Sequence, residues 1–180
     1  KSIASGKKTR FLQTKLPLSI TEPRMGQRHR WYSRRSNICL RMQIVLNAVE
    51  KGSNPWGCTD YLNQKKKILK TGADVYELMN EHAVHTKAVL IDDRLSVVGS
   101  YNLDMRSTYL DTELMLVIDS QELNGQIQDT ENIYIKKSKE VLSSGQETEG
   151  SLYEKKILSR KKKLFYGVLR VIIRPLRQLL

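Results

Sequence analysis

The pattern of apolar and polar positions changes character several times along the chain. Up to residue 41 no period is sustained, and from Met42 to Val49 an apolar run of strand length predicts the start of an ordered body. Gly52-Ser53-Asn54-Pro55-Trp56-Gly57 then reads as a loop. Thr59 or Asp60 is placed to cap a helix carrying Tyr61, Leu62, Ile68 and Leu69, which Gly72 stops. Ala73–Met79 fits a short strand. Between Val84 and Ile91 the side chains alternate: Val84, Thr86, Ala88 and Leu90 share one face, and His85, Lys87, Val89 and Ile91 the other. Asp92-Asp93 turns the chain into a partner strand, Leu95–Val98, that ends at Gly99. A further strand is expected at Glu113–Ile118, followed by a helix capped by Asp119-Ser120 and running toward Leu142, weakened by Gly125. Ser143–Ser151 is polar and reads as a linker.

Strands alternating with helices predict an α/β or α+β layer domain, and no internal repeat is visible. Four segments follow: residues 1–41, a basic and poorly ordered stretch; 42–142, the folded body; 143–154, a linker; and 155–180, a basic amphipathic helix. In the last segment Arg170, Arg174 and Arg177 line one side, Lys163 extends that stripe, and aliphatic residues fill most of the rest. Pro175 is expected to kink or end the helix.

Charge sharpens this division. The chain of 180 residues has a net charge of +12, yet residues 42–154 carry 11 basic and 18 acidic residues. Residues 1–41 carry 11 basic residues and one acid, and residues 155–180 carry nine and none. An acidic body with basic ends favours polyanionic surfaces, nucleic acid or anionic lipid alike. The basic stretch Arg24–Arg35, with Trp31 and Tyr32, suits nucleic acid as one option. Two cysteines, Cys39 and Cys58, make no disulfide framework, and no run of 18 uncharged apolar residues is present. A chain that opens on Lys1 is expected to be a fragment or a processed product.

The candidate chemistry sits at His85 and Lys87. Two residues apart on a strand, they would leave one face roughly 6.6 Å apart along it. Burying an imidazole and an ammonium together is costly unless an anion lies between them, and phosphate fits that charge. Gly99-Ser100 and Asn102 follow at the next strand end, where a small residue allows close approach and an amide can donate to a phosphate oxygen. Glu113 could accept a proton from the other ring nitrogen of His85 and fix its tautomer. His82 and His85 are spaced for a metal pair, but a strand would put them on opposite faces, so no metal or other cofactor is expected. His29, in the basic stretch, reads as solvated.

The run His85-Thr86-Lys87-Ala88-Val89-Leu90-Ile91-Asp92 matches the HxKxxxxD signature of the phospholipase D superfamily. Gly99-Ser100-Tyr101-Asn102-Leu103-Asp104-Met105-Arg106-Ser107 resembles the GSxNxDxRS block of bacterial cardiolipin synthases, and Glu113 falls where that family keeps an acidic partner. Asn47 and the stretch 54–72 are similar to the segment that precedes the second catalytic motif of those enzymes. The resemblance implies a phospholipase-D-like mixed α/β sheet flanked by helices, present as a single half-domain. It implies metal-free phosphatidyl transfer through a phosphohistidine, with His85 as nucleophile or as acid. Lys87 and Asn102 would hold the phosphate oxygens, and Glu113 would orient the ring. Asp92 would organise the motif rather than react. Gly99 and Ser100 would support the site, and Asp104 and Arg106 would pair to shape the loop.

One HxKxxxxD is present where the lipid enzymes carry two. The partners implied are therefore phosphatidylglycerol, an anionic phospholipid; a membrane surface; and a second HxKxxxxD half, supplied upstream or by another copy of the chain. The implied location is the bacterial cytoplasmic membrane, with peripheral attachment through the basic tail. Three arginines argue against that tail spanning a bilayer and for its lying in the interface. Two other readings compete: a single-motif nuclease or phosphodiesterase completed by dimerisation, and an inert membrane-binding fragment.

Overall fold

A computed structural model describes residues 8–12, 41–142 and 144–176. The stretch 24–35 with His29, together with Cys39, Arg177 and the last leucines, lies outside the described residues.

The described strands form one mixed eight-stranded sheet in the order β6-β5-β4-β1-β2-β3-β7-β8. Its middle is parallel: β1 (Lys8–Leu12), β2 (Arg41–Asn47) and β3 (Asp74–Leu78) run side by side, with Phe11 opposite Ile44 and Ile44 opposite Val75. On one side β4 (Ala88–Ile91), β5 (Leu95–Gly99) and β6 (Met115–Asp119) continue the sheet antiparallel. On the other, β7 (Ser138–Val141) and β8 (Glu147–Glu149) do the same. The helices are α1 (Pro55–Leu69), α2 (Met105–Tyr109), α3 (Gln121–Lys136) and α4 (Arg160–Leu176).

Burial explains the parallel centre. β3 is buried along its whole length, and Ile44, Val45 and Leu46 of β2 are buried consecutively, as expected for strands covered on both faces. One core cluster joins Ile44, Leu46 and Val75 to Tyr61 and Ile68 of α1 and Tyr166 of α4. A second joins Val45, Tyr76, Leu78 and Ala88, with Ile127, Tyr134 and Ile135 of α3 packed against them. A buried charge network ties three elements together. Glu77 on β3 accepts from Tyr61 Oη at 2.6 Å and Lys65 Nζ at 2.7 Å, and pairs with Lys139 of β7 at 3.1 Å.

The structure corrects several boundaries. Residues 8–12, inside the stretch expected to be poorly ordered, supply a central strand. Helix α1 starts earlier than expected because Asn54, not Thr59 or Asp60, caps it. Its side chain accepts from Trp56 N at 3.1 Å and Gly57 N at 3.4 Å, and Pro55 takes the first position, where its missing N–H costs nothing. Helix α3 stops at Lys136, and the residues expected to prolong it form β7. The 143–154 linker contains β8, paired to β7, and is fastened by Leu152 N donating to Lys136 O at 2.8 Å. The C-terminal helix is not suspended on a tether. Tyr166, Leu169 and Ile173, spaced three and four apart, are buried, and Arg170 exchanges hydrogen bonds with Asn63 of α1. The described helix continues through Pro175 to Leu176.

Candidate active site

Antiparallel order brings the sequence-predicted residues to one end of strands β4, β5 and β6. The segment before β4, the end of β5 and the segment before β6 all lie at that end, so residues 85–87, 99–102 and 113 become neighbours. Asp92, five residues beyond Lys87, sits at the far end of β4, as do Arg94 and Asp119, which pair across β5 and β6. Asp92 occupies the turn with φ of 53°, a left-handed conformation that Asp adopts more readily than most residues. It shapes the hairpin at the opposite end of β4 from His85 and Lys87.

β4 begins at Ala88, so His85 and Lys87 precede the strand instead of lying on it, and the expected strand spacing does not apply. His85 is exposed and Lys87 is buried. The Lys87 ammonium folds back onto the ring, 2.8 Å from Nε2 and 3.1 Å from Nδ1, and donates to the His85 carbonyl at 3.2 Å. His82 also precedes the strand and is exposed.

The segment carrying His85 is clamped from below. Asn47, at the end of β2, donates from Nδ2 to Val84 O at 2.9 Å and accepts Val84 N–H on Oδ1 at 3.0 Å. Sequence reasoning noted Asn47 only through resemblance, and nothing in its local pattern announces this contact across 37 residues.

Gly99 ends β5 with its N–H directed to Lys87 O at 3.3 Å. A Cβ there would stand 2.0 Å from Leu114 O and 2.9 Å from Met115 Cα, so the close approach this glycine permits is to the neighbouring strand. Ser100 binds that strand on both sides: its N–H donates to Leu114 O, its Oγ accepts from Leu114 N, and its hydroxyl donates to Glu113. The hydroxyls of Ser100 and then Ser107 hold the Glu113 carboxyl below its ordinary range, with Lys87 adding a smaller contribution of the same sign. The hydrogen bonds described for Glu113 are thus to serines, and the group described against the imidazole is Lys87. Ser107 also receives Asn102 Nδ2 at 3.4 Å, while Asn102 Oδ1 is buried without a hydrogen bond among the described residues.

The expected pairing of Asp104 with Arg106 is replaced by two separate contacts. Asp104 caps α2, accepting Ser107 N–H at 2.6 Å, and Arg106 pairs with Asp111 at 3.0 Å. Capping matters here because it places Ser107 beneath both Asn102 and Glu113. Ser107 lies inside the quoted sequence block, but its use became visible only with the fold.

A cleft of about 280 Å3 opens beside His85, lined by Asn47, Cys58, Tyr61 and Val84 among others. Among the described residues no group of three or more His, Cys, Asp or Glu is placed to hold a metal ion.

The mixed sheet is of the phospholipase D type, as its likeness to solved structures shows. Phosphatidylserine synthase from Haemophilus influenzae matches with a TM-score of 0.60 at 18 % identity, covering 96 % of this chain and 42 % of that one. Nuc, a phospholipase D family member from Salmonella typhimurium, matches at 0.54 and 13 %, covering 79 % and 82 %. At such identities the likeness speaks for fold. The family described as "Cardiolipin synthase, PLD-like domain" matches residues 34–134, more than half of the chain, and the chain belongs to that family.

Two curated relatives are cardiolipin synthase A of Citrobacter koseri, 40 % identical over 73 residues, and cardiolipin synthase A of Pectobacterium carotovorum, 35 % over 100 residues. The matches cover 41 % and 56 % of this chain, but 15 % and 19 % of the relatives. The chain therefore spans about a fifth or less of their length.

Proposed function

We propose that the chain is one catalytic half of a phosphatidyltransferase of the cardiolipin synthase type, acting on phosphatidylglycerol. The observation that carries this reading is the His85–Lys87 contact of 2.8 Å at the strand ends where Asn102 and Glu113 also lie. A bound phosphodiester draws Lys87 from the ring to its non-bridging oxygens, where a charge-assisted bond is stronger. One histidine of a pair, His85 or its counterpart in a second half, attacks phosphorus. The P–N bond forms, the P–O bond to glycerol breaks, and the other histidine protonates the leaving alcohol. The hydroxyl of a second phosphatidylglycerol then attacks the phosphohistidine, giving its proton to that same histidine as the P–N bond breaks. Asn102 holds a phosphate oxygen, and Glu113 supplies negative charge beside the site.

The second half would cover the open edge of the sheet. Leu114, Leu116 and Val117 are 72 %, 57 % and 70 % exposed there, next to exposed Tyr109 and Leu110. A patch of that kind at a sheet edge is the ordinary mark of an interaction surface. Attachment to a bacterial cytoplasmic membrane would use the outer face of α4, where Leu164, Phe165, Val168, Val171 and Ile172 are exposed beside Lys161, Lys162 and Lys163. No described helix is long and apolar enough to cross a membrane, and an interfacial position suits this composition.

The test is turnover by the chain on phosphatidylglycerol vesicles, alone and assembled with a second HxKxxxxD half. Cardiolipin and glycerol should appear in the assembled form and vanish in His85→Ala. DNA cleavage in EDTA without lipid turnover would assign the nuclease reading instead. Vesicle binding with neither activity would leave an inert fragment.

A further inference from the structure

The cleft beside His85 is walled by the end of β2, the first turn of α1 and the segment 83–85. Most of the polar groups along it are committed to the protein itself. Both ends of the Asn47 amide bind the Val84 backbone, the Asn54 oxygen caps α1, and the Tyr61 hydroxyl is donated to Glu77. Cys58 is a free thiol that burial pushes up, and it shares a hydrogen bond with Tyr166 of α4. Gly52 lies so close that a Cβ would stand 2.2 Å from the Cys58 sulfur. Ser53, at the exposed rim, and His85, at the proposed phosphate site, are the other polar side chains among the described lining residues.

Among the described residues no lysine or arginine lines this space. The described wall offers a nucleotide base few free donors or acceptors and a second phosphate no Lys or Arg partner. What remains is Leu46, the Tyr61 ring and a neutral sulfur, which suit methylene groups. At about 280 Å3 the space lies at the small end of ligand cavities, which run from roughly 300 Å3 upward, so it holds part of a lipid and not two whole chains.

We propose that this cleft receives the glycerol backbone and first acyl methylenes of the phospholipid whose phosphate lies at His85. The proposal rests on the lipid reading above and adds to it the place where the lipid body enters. The helix lining the cleft is also the one on which α4 packs, and the Cys58–Tyr166 contact joins the two. Lipid attachment through α4 and lipid entry beside His85 thus share one rigid element.

Maleimide labelling of Cys58 tests this directly, in the full chain carrying Cys39→Ser so that one thiol reports. Saturating dihexanoyl phosphatidylglycerol should slow labelling several-fold, while glycerol 3-phosphate, inorganic phosphate and a single-stranded oligonucleotide leave the rate unchanged. The His85 imidazole resonance, followed in parallel, separates the two claims. A lipid that shifts this resonance without slowing labelling overturns the cleft assignment and leaves the lipid reading standing; so does equal protection by glycerol 3-phosphate. A lipid that shifts nothing at His85 overturns both. In a second variant, Cys58→Phe, the lipid's affinity should fall by about tenfold. The response of the His85 resonance to inorganic phosphate should persist, with thermal unfolding confirming the fold. If that variant does not fold, the labelling result decides.

Discussion

On the β2–β3 flank, Ile44, Val45, Val75 and Leu78 are at most 1 % exposed, and α1, α3 and α4 close over them. On the β5–β6 flank, Leu114, Leu116 and Val117 stand mostly in solvent, and α2 is a single turn and a half that caps the site loop. Both flanks belong to one hydrogen-bonded sheet and use similar aliphatic residues. Burial is what separates them: the first flank supplies stability, while the second offers its apolar surface outward. His85, Lys87, Asn102 and Glu113, the residues proposed to handle the phosphate, lie outside both buried apolar clusters.

That contrast predicts how substitutions divide. The largest effect is on activity: if His85 is a reacting group as proposed, His85→Ala should lower transfer by the assembled halves by about a thousandfold or more, and the side chain is exposed. Its thermal unfolding midpoint should stay near that of the parent chain. Next comes the closed flank. Ile44→Ala or Leu78→Ala should cost roughly 2–5 kcal/mol in urea unfolding, whereas Val117→Ala should stay within about 0.5 kcal/mol in the same assay. Equal losses at the two flanks would erase the distinction.

A smaller effect concerns association. Replacing Leu116 and Val117 by Ser should weaken self-association or docking of a second half by about tenfold, read by sedimentation, without lowering the stability of the chain alone. The smallest effect is a pH dependence. Burial alone would raise the Glu77 carboxyl, but Lys65, Tyr61 and Lys139 outweigh it and hold it below its ordinary value of 4.5. A depressed carboxyl contributes stability above the unfolded value, and that contribution is lost as pH falls through the folded one. Unfolding free energy should therefore decline below about pH 4.5, and Glu77→Gln should flatten that decline. Glu113 is shifted the same way by Ser100, but it is partly exposed and screened by solvent, so Glu113→Gln should flatten the decline less than Glu77→Gln.

The comparison also shows which parts of the molecule were legible in the sequence. β2, β3 and the β4–β5 hairpin follow from local apolar runs and from the Asp92-Asp93 turn, because those signals are contained within a few residues. The local pattern places the start of α1 too late because Asn54-Pro55 reads as loop punctuation, although Asn followed by Pro is also a cap and a first helical residue. β7 and β8 are short and polar, and their pairing depends on β3 lying beside them, which no local pattern records. For the tail, the amphipathic period was visible; that Tyr166, Leu169 and Ile173 face α1 was not, because a helix leaves more apolar residues than one neighbour can cover. At the site, residue identities came from the two motifs. The Asn47 clamp, the Ser107 bridge and the serine partners of Glu113 required the fold, since each joins elements distant in sequence.

The central claim is that His85 and Lys87 act together on one phosphate group. Titrating the chain with inorganic phosphate while following the His85 imidazole by NMR addresses it without requiring turnover or a second half. The account predicts a saturable shift of that resonance, with Lys87→Gln weakening phosphate affinity by about tenfold or more. An imidazole that does not respond to phosphate, or one that responds equally well without the Lys87 ammonium, would contradict it.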